Sequence, residues 1–162
     1  MKRAALLPVA VVILAVSLGS TRAATGAASL SVPKCPSHAP KFTSLNLTSS
    51  HFVRPGAGAI RLCRFYKVNW ADSYGLWRQR LINRPVMISG LTRAFNKLKE
   101  PPRGIFCVKD DGSEMLLIFS YASAKPVRVV VKLSGCRFAT NGRSTRSTTA
   151  RLHDRLLALS RP

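Results

Sequence analysis

Hydrophobic positions along this chain fall into segments with different periods. Residues 59–70 alternate as a strand does: Ile60, Leu62, Tyr66, Val68 and Trp70 share one parity, broken by Arg64. Arg61, Cys63 and Lys67 take the other parity, so a half-buried strand with Tyr66 and Trp70 in the core is expected. Residues 72–85 scatter Tyr74, Leu76, Trp77, Leu81 and Ile82 among arginines, which predicts a short irregular helix. The clearest helical period spans residues 89–100, where Leu91, Ala94, Phe95 and Leu98 form one apolar stripe. Ser89 is its expected N-cap, and Pro101 with Pro102 its expected stop.

A β-meander follows. Residues 105–108 read as a short strand, and Asp110, Asp111, Gly112 and Ser113 as a tight turn. Residues 115–121 are apolar on both parities, which predicts a central strand covered on both faces. Val127, Val129, Val131 and Leu133 alternate with Arg128, Val130 and Lys132, giving a half-exposed strand. Residues 138–142 add a short strand or turn at Asn141 and Gly142. Residues 149–160 are amphipathic, with Leu152, Leu156 and Leu159 inside and His153 on the exposed side. This order predicts an α+β domain, an antiparallel sheet of about four to five strands with two helices packed on one face. No internal repeat is evident.

The N-terminus reads as a targeting segment. Lys2 and Arg3 precede an apolar run over residues 4–18, and Thr21 and Ala23 stand at the −3 and −1 positions of a small-residue cleavage site. Residues 1–23 are therefore the expected signal peptide, cut after Ala23 in a secreted protein. The apolar run is shorter than the roughly 20 residues that span a bilayer, so no stable membrane span is expected after its removal. Residues 24–40, rich in Ala, Ser and Pro, read as a flexible leader, and residues 41–162 as a single domain. Asn46, Leu47 and Thr48 match a glycosylation acceptor.

Four cysteines in an exported chain predict two disulfides. Of the three pairings, Cys35–Cys63 with Cys107–Cys136 is favoured, because it ties the Pro-rich leader to the first strand and closes the loop around the most apolar segment. No C-x-x-C pair exists, which argues against zinc and against a redox thiol.

The 26 Lys and Arg against 6 Asp and Glu give a formal charge of +20, which falls to +17 when Lys2, Arg3 and Arg22 leave with the signal peptide. The bland explanation is an arginine-rich surface, since the arginines form no compact run. The functional one is attraction to anions. Candidate interaction residues are Arg61, Arg64, Lys67, Arg78 and Arg80, interleaved with Tyr66, Trp70 and Trp77, together with Lys109. An anionic cell-envelope polymer or an acidic protein is the expected partner, and specific nucleic-acid recognition is not expected.

Asp110, Asp111 and Glu114 crowd one turn and read as turn chemistry rather than a calcium loop or a catalytic pair. His38, His51 and His153 are isolated, and no phosphate-binding loop, dinucleotide fingerprint, nucleophile elbow or zinc-protease signature is present. A non-enzymatic protein without catalytic residues, cofactor or metal is expected.

The cysteine-bearing strings carry a resemblance. Cys63 to Tyr66, the helix around Leu91 to Leu98, Gly104 to Ser113, Ser134-Gly135-Cys136 and Asn141-Gly142 resemble a group of uncharacterised secreted proteins of actinobacteria, marked by C-x-x-D-D-G-S, then S-G-C, then N-G. The resemblance implies fold and location and transfers no catalytic residue. A looser architectural likeness is to subtilisin-inhibitor-like proteins, small exported α+β domains with two disulfides. It implies a serine-protease inhibitor with Lys109 near the reactive site. The oligomeric state is left open.

Overall fold

A computed structural model describes residues 30–42, 51–67 and 74–161. The expected signal segment, the Asn46 triplet, Val68 and Trp70 lie outside these residues. Six strands and two helices follow in the order β1 (Ala59–Lys67), β2 (Tyr74–Ile82), α1 (Pro85–Asn96), β3 (Glu114–Ser120), β4 (Val127–Lys132), β5 (Phe138–Thr140), β6 (Thr145–Ser147) and α2 (Ala150–Leu159). The strands form one antiparallel sheet in the order β2-β1-β3-β4-β5-β6. The α+β class and the two helices agree with the sequence reading, while the sheet has six strands rather than four or five.

Both helices pack on the same face. Ile88, Leu91 and Phe95 of α1 and Leu152 and Leu156 of α2 share one core with Ile60, Leu62, Met115, Leu117, Phe119, Val129 and Val131. Phe95 anchors it, stacked on Phe52 at 6.2 Å and edge-on to Phe119 at 5.9 Å between ring centroids. Strand alternation sends the intervening side chains to the other face, where Cys63, Phe65, Leu116, Ile118 and Val130 form a second cluster. Among the described residues no helix covers that cluster. Cys35, Ala39 and Phe42 from the N-terminal segment and Leu76 from β2 pack against it instead. Ser37 O accepts a 3.0 Å hydrogen bond from Leu76 N, and the Cys35–Cys63 disulfide pins the segment to β1. The later part of the region read as a leader is thus the lid of the second apolar face. β3 is buried on both faces, as its two apolar parities require.

Several local expectations are corrected. Residues 74–82 form an edge strand, not a helix. β1 needs a hydrogen-bonding partner on its open side, and tertiary pairing overrides a weak local signal. The register slips between Arg64 and Phe65, leaving Trp77 as the extra residue of a bulge on β2. Beyond the slip, Tyr66 is not in the core and is 51% exposed. Residues 105–108 form no strand, because β1 and β4 already occupy both edges of β3. Ile105, Phe106 and Val108 are consequently 46%, 99% and 76% exposed.

α1 starts a turn early, with Pro85 in its first turn and Arg84 as a cap that makes no side-chain bond. Ser89 is inside the helix and donates to Val86 O at 3.2 Å. The helix ends at Asn96, before the prolines, as Asn96 turns to bond the Val53 backbone. His153 is buried rather than exposed, its Nε2 lying 2.9 Å from Leu133 O. A carbonyl only accepts, so that nitrogen carries the proton. β6 had no apolar alternation to announce it and exists because β5 offers it a free edge.

Candidate functional site: a cationic–aromatic face beside the end of α2

The six candidate cations divide by strand parity. Arg64, Arg78 and Arg80 share the helix-bearing side of the β1–β2 hairpin, where β1 and β2 run past the end of α2. There the guanidinium carbons of Arg64 and Arg78 lie 4.7 and 4.6 Å from the Trp77 ring centroid. Tyr66 stands 6.3 Å from Trp77, tilted by 47°. Trp77 is 50% exposed, so the group is a surface feature. The bulge creates it: the extra residue lets Trp77 join the side that carries Arg64 and Arg78.

Two of these arginines also finish α2. Arg64 Nη1 donates to Ser160 Oγ at 3.1 Å, Ser160 Oγ donates to Leu157 O at 2.8 Å, and Arg80 Nη1 donates to Leu159 O at 3.2 Å. Cations at the C-terminal end of a helix satisfy orphan carbonyls and meet the negative end of its dipole. A shallow groove of about 480 Å³ runs here, lined by Arg78, Gln79, Arg80, Leu159, Ser160 and Arg161. Burial, then repulsion from Arg78, lowers the Arg64 pKa from its ordinary value; Tyr66 opposes this and Arg161 adds to it. Among the described residues no acidic side chain lines the groove.

The other three candidates are elsewhere. Arg61 shares the Cys63 and Phe65 side, paired opposite Ile118 on β3. Lys67 ends β1, and its side chain lies outside the described residues. Lys109 is exposed on the irregular segment before β3, next but one to Cys107, which is joined to Cys136.

The motif around Lys109 resolves into a clasp. Ser134 Oγ lies 2.5 Å from both Asp110 Oδ1 and Asp111 Oδ1, and its single proton serves one carboxylate at a time. For Asp110, burial pushes the pKa up, but bonds from Ser134 and Gly112 and the charge of Lys132 outweigh it and hold the carboxyl below its ordinary value. Bonds from Ser134 and Ser113 do the same for Asp111. Lys132 pairs with Glu114 and lies 3.5 Å from Asp110. Gly135, at φ +60°, sits where a Cβ would come within 3.2 Å of Val108 O. Gly112 takes φ +75° in the Asp-Gly turn. The C-x-x-D-D-G-S and S-G-C strings therefore hold a loop to the β4–β5 connection, and their carboxylates are engaged in that work.

Among the described residues no cluster of His, Cys, Asp or Glu has the arrangement of a metal site, and no helix is long and apolar enough to cross a membrane. The β1–β2 face holds hydrogen-bond donors and exposed rings, and the Ser160 hydroxyl sits between Arg64 and Leu157 O. Such a set grips anions, since guanidinium edges match phosphate, sulfate and carboxylate oxygens. Asn96 and Asn141, which order the surrounding loops, carried no periodic signal that singled them out. Comparison with known proteins finds no family model, curated protein or solved structure that matches this chain.

Proposed function

We propose that this protein is a secreted, non-enzymatic binding domain that attaches to anionic polymer of the cell envelope. The observation that carries the reading is the Arg64–Trp77–Arg78 group, where two guanidiniums gather on one exposed indole and no acidic side chain among the described residues lines the adjoining groove. Stacking on the ring orders the guanidiniums in advance, and Arg78 presents its N–H edge to ligand oxygens while Arg64 spends Nη1 on Ser160. Two disulfides suit an oxidising compartment. The formal charge, +17 once Lys2, Arg3 and Arg22 have left with the signal peptide, adds long-range attraction.

The test is retention of the full disulfide-bonded chain on purified anionic wall polymer, with heparin as a chemically defined stand-in. Binding is expected to fall steeply with added salt, and Trp77→Ala with Arg78→Ala to weaken it by about fivefold or more at fixed salt. Absence of binding at low salt, or salt-insensitive binding, overturns the proposal.

One observation favours a second reading, a serine-protease inhibitor. Phe106, at 99% exposure, Val108 and Lys109 flank a cysteine on a segment outside the sheet that is tied down by Cys107–Cys136 and by the Ser134 clasp. A protruding, tethered loop is suited to insertion into a protease cleft. Incubation with trypsin-like and subtilisin-like proteases decides it: an intact protein that leaves every protease fully active removes the reading.

A further inference from the structure

A groove of about 780 Å³ opens at the other end of the sheet, where β3 hands over to β4. Tyr66 and Trp77 lie roughly 20 Å away along β1, since each strand residue advances about 3.3 Å. Four cations line this groove from three separate stretches of chain. Arg54 comes from the stretch before β1, Lys125 and Arg128 from the β3–β4 connection and the start of β4, and Arg143 from the β5–β6 turn. Phe42 and Phe52 form an apolar wall.

None of the chain's described acidic residues lines it. Glu100 pairs with Arg146, Glu114 and Asp110 lie with Lys132, Asp111 is bound by Ser134, and Asp154 is beside His153. The guanidinium of Arg54 lies instead 5.7 Å over the Tyr121 ring. Converging like charges repel, and a cleft lined by one sign concentrates its field on whatever anion enters.

The frame around the cations is built. Asn141 Oδ1 accepts from Arg143 N and Ser144 N, both at 2.9 Å, and Asn141 Nδ2 donates to Phe52 O at 2.9 Å. Tyr121 OH donates to Arg54 O at 2.7 Å. Gly142, at φ +80°, faces Phe42 where a Cβ would lie 3.3 Å from the ring. The backbones that carry Arg54 and Arg143 are thus held before any ligand arrives, which lowers the cost of binding.

We propose that this groove is a second anion site, separate from the β1–β2 face, and that it takes a short oligophosphate chain. Four positive charges in one groove match the charge of a few linked phosphates rather than that of a single carboxylate. Three of the four are guanidiniums, whose fork of donors grips phosphate oxygens in pairs. Two sources share this chemistry, a free chain and the tail of a nucleoside triphosphate, whose base would meet Phe42 and Phe52.

The experiment titrates the full disulfide-bonded chain with inorganic tripolyphosphate at physiological salt. Saturable one-site binding is expected. Lys125→Ala with Arg128→Ala, both exposed positions, should weaken it at least about tenfold. A charge-matched control, Arg93→Ala with Arg155→Ala in the separate groove between α1 and α2, should change it less than about twofold, as should Trp77→Ala. Unchanged affinity in the Lys125 and Arg128 variant, or equal loss in both double variants, overturns the proposal. A nucleoside triphosphate that binds more tightly than tripolyphosphate identifies a nucleotide tail, and equal or weaker binding identifies a free chain. Heparin retention of the same variants separates the two proposals, because it depends on the β1–β2 face.

Discussion

Asn96 closes α1 by treating the Val53 backbone as a strand partner. Its Nδ2 donates to Val53 O and its Oδ1 accepts from Val53 N, both at 2.8 Å, and Val53 is fully buried. Removing the amide leaves a buried N–H and a buried carbonyl without partners. Asn96→Ala should therefore cost about 1–3 kcal/mol, seen as a lower urea midpoint with an unchanged slope. Tyr121 offers a second check at this scale. Burial pushes its pKa from 10.0 up to about 12, against the opposing charge of Arg54. The unfolded chain therefore gives up this proton first. The group's contribution to stability is whole below pH 10.0 and is lost as the pH rises toward about 12. Alkaline titration followed by phenolate absorbance should show a phenol ionising near pH 12 that is absent in Tyr121→Phe, and the same substitution should flatten the alkaline loss of stability.

The sheet has two apolar faces, and they are covered by different means. Two amphipathic helices close the first, and a stretch without regular structure closes the second, held by one disulfide across 28 residues. A crosslink of that span contributes roughly 2–4 kcal/mol by restricting the unfolded chain. Cys35→Ser with Cys63→Ser should lower stability by that amount and also raise binding of a hydrophobic dye, as the cluster around Phe65 and Leu116 loses its cover. Cys107→Ser with Cys136→Ser should free an exposed loop without the rise in dye binding. Helix periods and the two-sided apolar run of β3 were legible in the sequence, because burial there follows directly from residue type. The strand at 74–82 and the fate of 105–108 were not. Both depend on which strand lies beside which, a fact that separates in space what local pattern cannot compare.

Across the whole molecule, charge is arranged by where the few carboxylates are placed. Glu100, Asp110 and Glu114 are committed to Arg146 and Lys132, and among the described residues no acidic side chain lines the β1–β2 groove or the groove beside Arg54. Binding at the two should differ in kind. The β1–β2 face should follow salt steeply on a long polymer, and the groove beside Arg54 should discriminate by ligand charge and length. The amino-acid order by itself determined the α+β class, both amphipathic helices, the central strand and the surplus of basic residues, since each follows from the composition and period of a local stretch. Only the tertiary structure decided that Arg64, Arg78 and Trp77 meet while Arg61 turns away, because a bulge and a strand register set side-chain direction. It alone brought Arg54, Lys125, Arg128 and Arg143 to one groove, since residues up to 89 positions apart become neighbours only when β3, β4 and β5 align.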